Sequence, residues 1–256
     1  MRTKILKIID IILDPRAMVA AVTWPKFSYT SYKNVRSLNL QNFHFPTIID
    51  VGSNTGQFAI AAQKLIHPEK IFCFEPVSRS FDKLLKNTKR INSIECRKVA
   101  CGAGSSIGQI NVNKHSQSSS ILHRTNVHED AFPSEIELKM ESIQIETLDD
   151  CLSNKLFNTP ALLKIDVQGF ESDVLEGSKR TLSSSVEMIM IETSFKELYD
   201  GEKTFESINR LLASMNFALL RPISFMRDDR TDEVLQMDCL YVKQGSKYSG
   251  GKNEGV

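Results

Sequence analysis

The chain has 256 residues, 41% of them apolar and 25% charged, an ordinary globular composition without bias toward disorder or fibre. A formal net charge of +1 supplies no general field for a polyanion, so nucleic acid is not expected as a partner. The five cysteines, Cys73, Cys96, Cys101, Cys151 and Cys239, are odd in number and lack C-x-x-C spacing; this argues against a disulfide framework or zinc cluster and for reduced thiols in a cytoplasm.

Residues 1–44 read as an N-terminal helical extension or cap. Met1 to Trp24 is apolar in flavour, but Lys7, Asp10, Asp14 and Arg16 interrupt it and Pro15 breaks it, so no transmembrane segment is expected. Ile5, Leu6, Ile8, Ile9, Ile12 and Leu13 form a stripe at helical spacing. The preferred reading is a helix packed on its own domain or on a second subunit, as in a homodimer. The other is peripheral contact of residues 2–13 with a membrane surface. Residues 25–44 lack a clear period and read as a connector.

A domain spanning 45–244 follows. Ile48 to Gly52 is a short apolar run ending in turn residues, and Phe58 to Leu65 an Ala-rich helix. Lys70 to Glu75 is a second run, closed by Pro76, and Ser78 to Lys89 a second helix. Ile94 to Cys101 is a third strand. Ile107 to Val112 and Glu141 to Ile145 alternate with period two and read as an antiparallel insertion, about 103–146. Between them lies a polar stretch with His115, Ser118 to Ser120, His123 and His128. Strand, helix, strand, helix resume with Ala161 to Asp166, Glu171 to Leu182, Glu187 to Glu192 and Phe205 to Met215. Phe217 to Leu220 begins a strand, 222–237 reads as a loop, and Cys239 to Val242 closes the domain. Continuous apolar strands alternating with helices predict an α/β fold: a doubly wound, seven-stranded, mostly parallel sheet with helices on both faces. The Gly/Ser/Lys-rich tail, 245–256, is expected to be disordered.

The loop Asp50-Val51-Gly52-Ser53-Asn54-Thr55-Gly56 lies between the first strand and its helix. Its glycines permit a sharp turn and close ligand approach, and the helix start offers unpaired N–H groups to a carboxylate. Nineteen residues beyond Gly56, Glu75 ends the second strand, where a carboxylate accepts both hydrogen bonds of a ribose diol. A nicotinamide enzyme usually shows G-x-G-x-x-G; here Asn54 and Gln57 stand where its second and third glycines belong. That favours a nucleoside cofactor without a pyrophosphate. An NAD-dependent oxidoreductase and a non-catalytic nucleoside-binding protein on the same fold remain the alternatives.

The chain resembles the FkbM family of S-adenosylmethionine-dependent methyltransferases. The residues that carry the resemblance are Ile49 to Gly56, Phe74-Glu75-Pro76, Thr147-Leu148-Asp149, Leu163 to Glu171, Val174 to Gly177 and Gln236 to Tyr241, in that order. The family pattern has Glu where this chain has Gln168; Asp166 and Glu171 are retained. The resemblance implies a Rossmann-like class I methyltransferase fold and S-adenosyl-L-methionine as donor. It also implies a hydroxyl-bearing acceptor, a small molecule or glycan: sugar, polysaccharide or related natural product. Asp50, Gly52, Ser53, Asn54, Gly56, Glu75, Pro76, Cys101 and Asp166 are then the expected cofactor-binding residues. Asp166, at the topological switch point, is the first choice for a base that takes the hydroxyl proton, with His115 and His123 behind it. Glu171, Glu192 and Asp238 are the expected substrate-binding residues. No metal is expected, although Asp166, Glu192 and Asp238 carry the oxygen ligands that hard cations prefer.

Overall fold

The computed structural model of the chain describes residues 2–39, 43–113, 119–132, 137–155, 157–228 and 230–249. In chain order, α1 (Arg2–Leu13), α2 (Pro15–Thr23) and α3 (Tyr29–Asn39) precede β1 (Thr47–Val51), α4 (Gln57–Leu65), β2 (Lys70–Phe74), α5 (Ser78–Thr88) and β3 (Ile94–Arg97). Then come β4 (Ala100–Cys101), β5 (Ser106–Asn113), α6 (Asn126–Ala131), β6 (Glu137–Glu146) and α7 (Leu148–Leu152). The chain continues with β7 (Ala161–Ile165), α8 (Glu171–Glu176), α9 (Lys179–Ser184), β8 (Val186–Ser194), α10 (Phe205–Ser214), β9 (Phe217–Arg227) and β10 (Val234–Lys243).

Seven strands form the main sheet in the order β3-β2-β1-β7-β8-β10-β9. β10 runs antiparallel to both neighbours; the other pairings are parallel. The expected doubly wound α/β fold is therefore present. β1 and β7 lie at its centre and are buried along their whole length, which is why their sequences are continuous apolar runs rather than alternating ones. One face packs Ile48, Met188, Met190 and Leu240 against α3, α4 and α5; the other packs Ile49, Leu163, Ile189 and Tyr241 against α7 to α10. From β1 the order steps outward one way to β2 and the other way to β7. The crevice at their carboxyl ends is where doubly wound folds hold ligands.

Several elements differ from expectation. The third strand breaks: Ile94–Arg97 stays in the main sheet, while Ala100–Cys101 pairs with β6 in a second sheet of order β4-β6-β5. Arg97 ties the break down, donating to Glu146 and to the Cys151 carbonyl. The helix after β7 is interrupted at Gly177, whose absent Cβ would lie 2.0 Å from the Gly102 carbonyl oxygen. The 222–237 stretch is not a loop: it supplies the long β9–β10 hairpin. The connector contains α3, and the start of the tail is packed, with Tyr248 buried against Phe43 and Phe45 and donating to the His44 carbonyl. Residues 250–256 lie outside the described residues.

The N-terminal helices correct another expectation. Asp14 caps α2 through the N–H groups of Arg16 and Ala17 and pairs with Arg36. Ala17 and Ala20, with Ile11 beside them, meet Tyr32 and Trp24. Ile8, Ile9, Ile12, Leu13, Met18, Val19 and Val22 face solvent, so packing on the chain's own domain does not cover the apolar stripe. Among the described residues no helix is long and apolar enough to cross a membrane.

Candidate functional site

The carboxyl ends of β1, β2, β7 and β8, with the amino end of the antiparallel β10, open into a cavity of about 2040 Å³. Pockets for one small ligand run to roughly 300–1,000 Å³, so this one has room for two. Its walls are the β1–α4 loop, the start of α3, α6, the second sheet and the β9–β10 hairpin.

Gly52 leaves β1 at φ +79°, and a Cβ there would stand 1.9 Å from the Asp166 carbonyl oxygen. Only glycine lets the two strand ends approach so closely. Asn54 follows in the left-handed region at φ 49°, which asparagine tolerates. The loop's own N–H groups, ahead of the helix start, are used internally. Those of Gly52 and Ser53 donate to the Phe74 carbonyl, that of Asn54 to Glu75, Thr55 to Gln57 and Gly56 to Ser53. Gly56, at φ +88°, starts α4 and does not line the cavity.

Glu75 is held at the end of β2 by two backbone donors, Asn54 N–H on Oε2 (2.8 Å) and Val77 N–H on Oε1 (2.9 Å). It lines the cavity yet is 5% exposed. Burial pushes its pKa up to about 7, against the pull of those two N–H groups. Gly52, Ser53, Asn54, Pro76 and Cys101 share the wall with it.

Asp50 differs from expectation. Its carboxylate is fully buried beneath the loop and does not line the cavity. Burial raises its pKa, and Lys164 Nζ, 3.2 Å from Oδ1, pulls the other way. Lys164 also donates to the Gly52 carbonyl (3.0 Å) and lies 3.5 Å from Asp166 Oδ2. Burial disfavours the ammonium, but Asp50 and Asp166 raise its pKa overall. This lysine is the clamp between β1, its loop and β7.

Three carboxylates stand in one row across the sheet. Ile165 pairs with Ile191 and Glu192 with Asp238, so Asp166, Glu192 and Asp238 occupy the same level on β7's end, β8 and β10. All three line the cavity. Burial, then Asp166 and Asp238, push Glu192 well above the usual carboxylate range; Asp238 is raised for the same first reason. Asp166 is the open one, its side chain 40% exposed. Between Asp166 and Glu192 sits the amide of Gln168, whose Nε2 donates to Asp166 Oδ1 (3.0 Å) and Glu192 Oε2 (2.8 Å). Tyr199 donates to its Oε1 (2.9 Å), and Gln236 donates to the same Glu192 oxygen (3.0 Å). Gln168 is itself left-handed, at φ 57°. Asp238 accepts from Asn34 and Ser224.

Glu171 also departs from its expected role. It is buried away from the cavity and accepts from the N–H groups of Val167 and Gly169, so it folds the turn that carries Gln168. Burial, then Glu202, pushes its pKa up to about 8. His123 is exposed and outside the cavity wall, and His115 lies outside the described residues. The histidine that does reach the wall is His128 on α6, bonded through Nε2 to the Tyr199 hydroxyl (3.3 Å). Burial, then Arg124, lowers its pKa to about 4. In the sequence it is one polar residue in a polar stretch, and only tertiary packing separates it from its exposed neighbours.

Comparison with known proteins places this arrangement among relatives. The pattern of the methyltransferase FkbM domain matches residues 50–219. The 2-O-methyltransferase NoeI of Sinorhizobium fredii is 29% identical over 188 residues, which are 69% of this chain and 75% of that one. Methyltransferase 1 of Beauveria bassiana is 25% identical over 209 residues, 77% of this chain and 80% of that one. The solved structure of methyltransferase FkbM from Methylobacillus flagellatus KT superposes with a TM-score of 0.47 at 16% identity, over 77% of this chain and 43% of that one.

Proposed function

Because the chain belongs to the methyltransferase FkbM family, we propose that it transfers a methyl group from S-adenosyl-L-methionine to a hydroxyl of a sugar, polysaccharide or related natural product. The observation that carries this reading is one cavity in which a nucleoside cradle, Gly52 with Glu75, stands beside an open carboxylate, Asp166. The relative NoeI, named a 2-O-methyltransferase, supports oxygen as the acceptor atom.

The cradle fits the donor. Glu75 retains acceptor capacity for a ribose diol beyond its two backbone bonds, and Gly52 keeps side-chain bulk out of the approach. Cys101 and Ala100 are small residues on the wall beyond the end of β2, where a flat base needs room. When bound, the donor supplies a methyl group already activated on a sulfonium, so positioning is much of the catalysis.

Asp166 takes the acceptor's hydroxyl proton. Gln168 and Lys164 hold its two oxygens, leaving lone pairs directed to the cavity. Glu192, driven toward its protonated form by burial, does not add a second full charge beside the base. Asp238, fixed by Asn34 and Ser224, offers a further acceptor to a neighbouring hydroxyl of the same substrate.

Incubation of the protein with labelled donor and a glycan or metabolite extract, followed by identification of the labelled product, tests the reading. A methyl ether is the expected product. Labelling at nitrogen or carbon would replace the hydroxyl reading. Failure of the folded protein to bind S-adenosylmethionine or S-adenosylhomocysteine would remove the donor.

A further inference from the structure

Five cationic side chains line the cavity: Lys33, Lys164, Arg221, Arg227 and Arg230. Three have carboxylate partners. Lys164 pairs with Asp50 and Asp166, Arg227 with Asp232 (3.6 Å) and Arg230 with Asp228 (3.0 Å). Among the described residues no carboxylate lies within ion-pair distance of Lys33 or Arg221.

Arg221 is half-buried between β9 and α3. Of the five N–H donors on a guanidinium, one is used inside the protein, Nη2 to Ser37 Oγ at 3.3 Å. Nε is shut off from solvent and has no acceptor. Nη1 has no acceptor among the described residues and is not shut off from solvent, so the guanidinium has donors to spare for a partner that the protein does not supply. Lys33, one helical turn before Ser37 on α3, brings a second cation to the same wall.

The sheet register says which ligand this partner belongs to. Asp50, Lys164, Met190, Leu240 and Arg221 pair in succession, so they stand at one level across five strands. Strands lie about 4.8 Å apart, which sets Arg221 roughly 19 Å from the donor loop's strand and roughly 14 Å from the strand of Asp166. The carboxylate of a donor seated at Gly52 is too distant. A group on the acceptor is not, since Asp166 and Arg221 line the same cavity and an acceptor of more than one ring extends along it.

Resting on the acceptor reading above, we infer that Arg221, with Lys33, forms a subsite for an anionic group, a carboxylate or phosphate, carried by the acceptor one or two rings from the methylated hydroxyl. The substrate class is then an acidic glycan or glycoside rather than a neutral one. The planar carboxylate or phosphate takes two parallel bonds from the fork, which a lone hydroxyl cannot.

Calorimetry on the full chain tests this, with D-glucuronate, D-glucose and inorganic phosphate each titrated without and with saturating S-adenosylhomocysteine. At least one of the two anions should bind about tenfold or more tightly than glucose, and Arg221→Gln should abolish that preference while leaving S-adenosylhomocysteine affinity unchanged. Arg221→Lys should keep part of it. Should Arg221→Gln lower the melting temperature, the exposed Lys33→Gln gives the same comparison with a smaller loss. Glucuronate preferred identifies a carboxylate, phosphate preferred a phosphate. Equal weak binding of all three, or an anion preference that survives Arg221→Gln, overturns the subsite. Loss of S-adenosylhomocysteine binding with the anion preference intact would strike the donor reading alone.

Discussion

The proposed seat for the donor's ribose on Glu75 predicts that donor affinity depends on pH. A ribose diol donates two hydrogen bonds, and the ionised carboxylate is the form that accepts both. Burial holds this carboxylate's pKa near 7 in the free protein. If the nucleoside binds only the ionised form, ligand and proton compete, and the apparent dissociation constant rises by the reciprocal of the ionised fraction. That fraction is about one in eleven at pH 6 and about ten in eleven at pH 8, so affinity should weaken about tenfold between them, or about 1.4 kcal/mol. Binding at pH 6 should also release close to one proton, measurable by calorimetry in buffers of different ionisation enthalpy. Methylthioadenosine is the better probe, because it carries the ribose without an amino-acid end that titrates. Glu75→Gln should bind more weakly and show a flat profile. An affinity for methylthioadenosine that is constant from pH 6 to 8 in the unaltered protein would refute the assignment of Glu75 to the ribose.

Asp166→Asn keeps the shape and removes the base; kcat should fall about a hundredfold or more with donor affinity changed little, and an unchanged kcat would move the base elsewhere. Gly52→Ala places a methyl group 1.9 Å from a backbone oxygen at a positive φ, so urea unfolding should show a loss of about 3 kcal/mol or more; a loss below about 1 kcal/mol would mean that the β1 and β7 ends can part freely. Gln168→Glu sets a third carboxylate between Asp166 and Glu192, and proton sharing among them should shift the acid limb of the pH–rate profile upward. Its folded-state pKa is raised, so the variant's stability relative to the parent should fall as pH rises from about 5 to 8. Profiles that superimpose would show that the amide's hydrogen bonds do not matter. His128, depressed to about 4, works in the other direction: its contribution is complete above about pH 6.5 and is lost as pH falls toward 4, a slope that His128→Asn should remove.

The centre of the fold was legible because it is local. Ile48 to Gly52 and Leu162 to Asp166 are short apolar runs ending in turn residues, each broken by a single charge, Asp50 or Lys164, and their length and position before helices fit buried parallel strands. Glu75 was legible for the same reason, as a carboxylate closing such a run. Side-chain direction was not. Asp50 and Glu171 belong to the right segments, yet one points beneath its loop at Lys164 and the other folds back onto its own turn. The long-range partners of Gln168 stayed hidden too, since Tyr199 and Glu192 are distant in sequence. The N-terminal stripe shows the converse: its helical period was correct, but periodicity does not say what covers an apolar face.

The close approach of Gly52 to Asp166 couples two parts of the molecule that have different histories to satisfy. The proposed donor seat and proton acceptor are set against a single backbone contact and cross-braced by Lys164. They behave as one rigid block, with little freedom to retune one without the other. The opposite walls, α3, α6 and the β9–β10 hairpin, are joined through side-chain hydrogen bonds, such as Asn34 with Asp238 and His128 with Tyr199, which substitution can remake. Exchanging those walls between relatives is therefore the economical route to a new acceptor, with the block beneath them left as it is.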